Sequence, residues 1–241
     1  MWETIWNYFN MAINYFNVIL IGGVCLWYIL ANLAFNKTTY HKATHRSFLK
    51  TVFDKGFYGE YLIYKKFRKF EKTGARFLFN CYLPKEDGET SEVDVLMLYG
   101  SGIYVFESKN YGGRIYGDEK SLKWMQILFG KRSRFYNPIM QNATHIKYLK
   151  AFIGDEMPCR SVIVFSKRCV LAKMEIESPE ILVARRVDLH KCIKPLKKKD
   201  PIILYKEEIE ELYKKLYPLT QVTEDIKKKH VENIKEKHKN S

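Results

Sequence analysis

Val93-Asp-Val-Leu-Met-Leu-Tyr-Gly-Ser-Gly-Ile-Tyr-Val-Phe-Glu-Ser-Lys109 holds two apolar runs separated by Gly100-Ser-Gly102. Each run suits a buried strand, and the glycines mark the turn between them. Three charged residues interrupt the pattern: Asp94 in the first run, then Glu107 and Lys109 at the end of the second. A charge in a buried strand is costly unless it is paired or holds a metal. Strand side chains alternate, so Glu107 and Lys109 project from one face and Ser108 from the other. An adjacent strand can bring Asp94 to the face of Glu107. Two carboxylates beside a lysine make a hard oxygen site suited to Mg²⁺ or Mn²⁺, with a cation left to hold a water or a phosphate. A salt-bridged strand end would explain Glu-x-Lys alone. The acid on the preceding strand is what favours a site.

The flanking sequence supplies the other elements. Gly56-Phe-Tyr-Gly-Glu60 opens a helix, with Leu62, Ile63, Phe67 and Phe70 at helical spacing and Gly74 as the stop. Residues 76–83 read as a first strand and 84–88 as its turn. After Lys109, Tyr111-Gly-Gly113 leads into a short polar strand through Ile115 and a loop around Trp124. Residues 140–153 are helical by spacing. Residues 161–165 and 181–184 read as short buried strands, and 187–193 as a small helix. Ile209, Leu212 and Leu216 form one face of a helix over 207–217, which Pro218 ends. The order predicts an α/β fold, a mixed sheet flanked by helices. Residues 219–241 are rich in Lys and Glu and read as a charged, disordered tail.

The N-terminal segment differs from everything after it. No charged residue lies between Glu3 and Lys37. As a helix, residues 13–35 would be about 34 Å long against a hydrocarbon core of about 30 Å. Trp2, Trp6, Tyr8, Tyr15 and Phe16 suit an interfacial belt. A cleaved signal peptide would carry positive charge first and a shorter apolar core, so an uncleaved anchor over residues 1–36 is expected. Lys37, Lys42, Arg46 and Lys50 follow the span and only Glu3 precedes it. The positive-inside rule then predicts a single-pass membrane protein with its C-terminal domain in the cytoplasm. Residues 37–54 form a basic juxtamembrane connector, and 55–218 the folded domain.

The 241 residues carry 41 Lys+Arg against 27 Asp+Glu, a formal charge of +14. That balance favours an anionic partner, nucleic acid or acidic lipid, without choosing between them. Five scattered cysteines with no C-x-x-C pair argue against structural zinc and a disulfide framework. Lys131-Arg-Ser-Arg134, with Phe129, Phe135 and Tyr136 beside it, reads as a loop whose basic and aromatic mixture suits nucleic acid. A solvated loop is an equal reading. Lys197-Lys-Lys199 reads as solvated surface.

Four motifs occur in order: Gly56-x-x-Gly59-Glu60, Glu92-Val-Asp94, Gly102-Ile-Tyr-Val-Phe-Glu107-Ser-Lys-Asn110 and Asn137-Pro-x-x-Gln141-Asn142. Together they resemble the nuclease-related domain (NERD) family of the PD-(D/E)xK nuclease superfamily, over roughly residues 50–190. The resemblance implies a restriction-endonuclease-like core and a metal-dependent nuclease, DNA being favoured over RNA, with no small-molecule cofactor. By position it implies metal binding by Asp94, Glu107 and the carbonyl of Ser108. Lys109 resembles the catalytic lysine, Glu60 the helix-borne acid facing the site, and Gln141 the polar residue that closes it. Val93 replaces the proline of the superfamily's name motif, and Ser108 stands where valine is usual; neither change removes a ligand. Taken alone, Glu60 reads as an acid favoured by the helix dipole, and His145 as a surface histidine. A membrane-tethered nucleic-acid-binding or scaffold protein without turnover is the alternative function.

Overall fold

The computed structural model describes residues 1–189, 191 and 203–239. They fall into two compact units, Met1–Lys50 and Thr51–Ser241. In the first, α1 (Trp2–Asn36) is one continuous helix. It is long and apolar enough to cross a membrane: its most apolar 18-residue window has a mean hydropathy of 2.2 and is 6% buried. A helix apolar on every side and packed against almost nothing satisfies its backbone internally, which is what a bilayer demands. The basic connector that follows is helical in two short pieces, α2 (Thr39–Thr44) and α3 (Phe48–Phe53). Thr38 caps α2, its hydroxyl accepting the His41 N–H.

The second unit opens with α4 (Lys55–Phe67), capped by Asp54, whose carboxylate accepts the N–H groups of Gly56 and Phe57. A 3₁₀ turn extends it to Thr73, and Gly74, at φ +95°, supplies the left-handed stop. The strands β1 (Arg76–Pro84), β2 (Thr90–Tyr99) and β3 (Gly102–Lys109) form an antiparallel meander. α5 (Pro138–Ile153) then returns the chain so that β7 (Cys159–Phe165) and β9 (Ile181–Arg185) join parallel, giving the order β1-β2-β3-β7-β9. This is the expected mixed sheet flanked by helices. Tyr64 and Phe67 of α4 meet Phe77, Phe79 and Phe106 on one face. On the other, Leu149 of α5 and Ile209, Leu212 and Leu216 of α6 (Lys206–Leu216) pack on Leu78, Leu96, Leu98, Ile103 and Val105.

A second sheet is inserted between β3 and β9. It has the order β6-β5-β4-β8, built from β4 (Gly113–Asp118), β5 (Lys123–Leu128), β6 (Lys131–Tyr136) and β8 (Cys169–Glu175). The sequence places loops around Trp124 and over Lys131–Arg134; both are strands. Trp124 is buried in β5, stacked on Phe165 with ring centroids 6.0 Å apart, and its indole N–H donates to the Asp118 carbonyl. A Cβ on Gly117 would run into that indole ring, so glycine is required there. Lys131, Arg132 and Arg134 lie on the edge strand β6.

The C-terminal segment is also corrected. It is helical as α7 (Glu224–Lys239), not disordered. His230 pins it: the ring is buried, bonds the Thr90 hydroxyl through Nδ1 at 2.9 Å and stands edge-on to Tyr82. A helix with so few apolar residues holds here through polar and aromatic contacts. A 3₁₀ turn covers Arg186–Asp188; of the other positions where a small helix over 187–193 is expected, only Leu189 and Lys191 are among the described residues, and Lys197–Lys199 lie outside them.

Candidate active site

Two irregularities in the central sheet create the site. β1 and β2 pair from Phe79↔Val95 to Cys81↔Val93, leaving Asn80 and Asp94 opposite each other between those pairs. Asn80 is in the left-handed region at φ +49°, a conformation asparagine tolerates better than most residues. Leu78 and Cys81 both join the core under α5, so side-chain alternation breaks at this point. Beside it, pairing of β2 with β3 stops at Val95↔Phe106, while β3 stays paired with β7 as far as Lys109↔Phe165. The strands part, and the Asp94 carboxylate fills the opening, accepting the Ser108 N–H at 2.7 Å.

Helices close the opening from both faces. On the α4 side, a Cβ on Gly59 would sit 2.5 Å from the Ser108 hydroxyl, so the glycine of the Gly-Glu pair lets α4 approach β3. Glu60 is thereby buried toward Asp94, and Asn80 donates to it at 3.3 Å. On the α5 side, Asn137 caps the helix and donates to the carbonyls of Asp118, Glu119 and Ser121. Asn142, fully buried, donates to the Val105 carbonyl and the Ser161 hydroxyl, fixing α5 on β3 and β7. The Asn-Pro-x-x-Gln-Asn motif is therefore a positioning device. It aims Gln141 at Lys109, whose ammonium donates to Gln141 Oε1 at 2.7 Å.

Glu107 is the hub. One oxygen meets Lys109 Nζ at 2.8 Å and the other faces His145 Nε2 at 3.2 Å. Glu107 Oε2 and His145 Nε2 are both buried, and each has the other as its near polar neighbour. His145 Nδ1 is bonded to the Ser91 hydroxyl at 2.7 Å. The surface position expected for His145 is thus wrong: it is 7% exposed and faces an acid of the cluster. Asn80 and His145 are the two residues that the motifs missed.

The charges divide the acids. Burial, reinforced by the negative charges of Glu107 and Glu60, pushes the Asp94 carboxyl well above the usual range, against the pull of the Ser108 N–H and Lys109. Burial also opposes charge on Glu107, but Lys109 and His145 together bring it down to about 2. Burial works against the charge on Lys109 too, yet Glu107 and Asp94 hold its ammonium above the usual lysine value. Lys109 is therefore a stable cation. Three carboxyl groups around one lysine oppose one another's ionisation, and a further cation would relieve that. That donor set has the chemistry of a hard divalent cation. Among the described residues no three His, Cys, Asp or Glu side chains are grouped as ready ligands.

This arrangement coincides with a family pattern. The model of the nuclease-related domain matches residues 55–166, a span running from α4 through β7 that contains Glu60, Asp94, Glu107, Lys109, Gln141 and His145. An uncharacterized protein of Bacillus anthracis is 34% identical over 183 residues, covering 76% of this chain and 85% of the relative. The chain belongs to the nuclease-related domain family. No solved structure gives a significant match. Within this NERD domain, Lys131, Arg132 and Arg134 stand apart from the acids. With Phe135 turned inward, strand alternation puts Arg132 and Arg134 on the outer face and Lys131 on the inner side of the exposed edge. Arg134 borders an open hollow of about 630 Å³ together with Lys123 and Lys173.

Proposed function

We propose that this protein is a membrane-anchored, Mg²⁺- or Mn²⁺-dependent nuclease that hydrolyses phosphodiester bonds, of DNA in preference to RNA. The observation carrying this reading is Lys109. A buried lysine is held charged between Glu107 and Gln141, beside the Asp94 carboxyl, whose ionisation burial and the neighbouring acids oppose in the absence of a further cation. Asp94 and Glu107 would hold the metal, with the Ser108 carbonyl as a further oxygen and Glu60 binding a second ion or its water shell. The ion, when bound, supplies an acidified water and a Lewis acid at the phosphoryl oxygens. Lys109 has three N–H donors, and Glu107 and Gln141 take two. The third points the ammonium at a phosphoryl oxygen or the attacking water. Held as an ammonium by Glu107 and Asp94, it is suited to stabilise developing negative charge. Water adds to phosphorus, the bond to one ester oxygen breaks, and that oxygen leaves with a proton. Gln141 and His145 hold the orientations of Lys109 and Glu107 throughout.

Arg132 and Arg134, with Lys123, offer phosphate contacts on the outer face of the second sheet. α1 anchors residues 1–36 in the membrane, the connector 37–54 lies at its inner surface, and the domain from residue 55 faces the cytoplasm. α7 belongs to that domain, which extends it beyond residue 218. A non-catalytic nucleic-acid binder is the second reading, favoured by the closure of Glu107 onto Lys109 and His145. Incubating the full chain in detergent micelles with DNA and RNA separates the two. Cleavage with Mg²⁺ or Mn²⁺ that EDTA abolishes is expected; binding without cleavage under either metal would establish the second reading.

A further inference from the structure

A groove of about 500 Å³ opens onto the acids and is lined by Asp94, Gln141, Thr144, Tyr136, Asn233 and Ile234. Two of these come from α7, the helix that the composition marks as a disordered tail. Its docking through His230 therefore builds a wall of the approach to the site. Of the charged groups around the groove, Lys85 is paired with Glu89 at 2.6 Å, Glu92 lies 3.6 Å from His230, and Asp94 adds a further carboxyl to the lining. The Thr90 and Ser91 hydroxyls are bonded to His230 and His145, so the neutral part of the lining is the Thr144 hydroxyl, the Asn233 amide, an aliphatic side chain and an exposed tyrosine ring. Neutral donors and acceptors beside an aromatic face suit a nucleobase and do not suit a phosphate.

We infer that this groove seats one unpaired base of the strand being cut, so that the substrate is single-stranded nucleic acid. The inference rests on the nuclease reading for the identity of the adjoining site. The volume lies in the range of pockets that enclose one small molecule, and fits one nucleotide. A base inside a stacked duplex cannot enter unless it is extruded, at a cost in stacking and pairing. Asp94 and Gln141 of the site line the groove, so a phosphate that reaches Asp94 along it brings its base into the groove. β6 supplies the continuity. Arg132 and Arg134 precede Tyr136 on the same outer face, so the backbone follows the arginines while the base turns in against the ring.

The test is fluorescence anisotropy of the full chain in micelles with EDTA present. The probes are a labelled strand about 12 nucleotides long and the blunt duplex of the same sequence. The single strand is expected to bind about tenfold more tightly than the duplex. Tyr136→Ala removes the stacking face and Thr144→Trp fills the groove, both at exposed positions. Each is expected to lower single-strand affinity about tenfold and leave duplex affinity unchanged. Equal or tighter duplex binding, or wild-type binding by both variants, overturns the inference. Turnover of both forms by a protein whose binding ignores the two variants removes the groove and leaves the nuclease reading intact. Groove-dependent binding without turnover under any metal supports the groove and removes the nuclease reading.

Discussion

Asp94→Asn and Glu107→Gln are expected to change stability in opposite directions, although the two carboxylates share one cluster. Glu107 falls from 4.5 to about 2 in the fold. At about 1.4 kcal/mol per pH unit, this corresponds to about 3 kcal/mol. Because its folded pKa is depressed, that stability is present above the unfolded value and is lost as pH falls through about 2. Glu107→Gln should therefore cost about 3 kcal/mol at neutral pH, and wild type and variant should converge toward pH 2. Asp94 is displaced the other way, upward by burial and by Glu107 and Glu60. Its contribution is fully present below the unfolded pKa and is lost as pH rises through the folded one. Asp94→Asn, whose amide oxygen can still accept the Ser108 N–H, should stabilise the metal-free protein at neutral pH and give no gain below about pH 4. The assay is thermal and urea unfolding of the full chain in micelles, followed by near-ultraviolet circular dichroism with EDTA present. Adding Mg²⁺ should then stabilise wild type and not Asp94→Asn. Equal destabilisation by both variants at neutral pH would refute the assignment of opposite electrostatic roles.

Gly59→Ala should push α4 away from β3 and cost about 1–3 kcal/mol by overpacking, and Ser108→Ala in the same chain should restore most of it; an unrescued loss in unfolding experiments would place the clash elsewhere. Arg132→Ala with Arg134→Ala should flatten the salt dependence of single-strand binding by about 1.4 in log–log slope, whereas Lys131→Ala, on the other side of β6, should leave it unchanged. An equal effect of Lys131 would return the whole triplet to general surface charge. Removing residues 1–36 should release the protein from membranes with the circular-dichroism signature of the second unit intact, and aggregation or loss of secondary structure would make α1 part of the core.

The central meander was legible because apolar runs and a glycine turn specify it locally, and α4 and α5 carry helical periodicity and capping residues of their own. The second sheet was not. Its strands are short, one face is solvated, and β6 opens with three charged residues in four, so Lys131-Arg-Ser-Arg134 looks like a loop. Trp124 is fixed by stacking on Phe165, a partner far along the chain. The tail helix docks through a histidine and a tyrosine, contacts that hydrophobic periodicity does not register. Asn80 matters through its register with Asp94 and its left-handed backbone, neither of which one residue in an apolar run reveals. His145 did leave a signal. One helical turn from Gln141 rises about 5.4 Å, and two strand residues from Lys109 to Glu107 span about 6.6 Å. A helix that sets Gln141 on Lys109 therefore sets His145 on Glu107.

The most direct test of the nuclease reading is Lys109→Ala, measured for Mn²⁺ binding by calorimetry and for cleavage on the same preparation. Lys109 neutralises Glu107 and lies near Asp94, so its removal leaves the carboxylates more negative. The account predicts Mn²⁺ binding as tight as wild type or tighter, with cleavage abolished because the developing charge has lost its cation. Cleavage at the wild-type rate would contradict it.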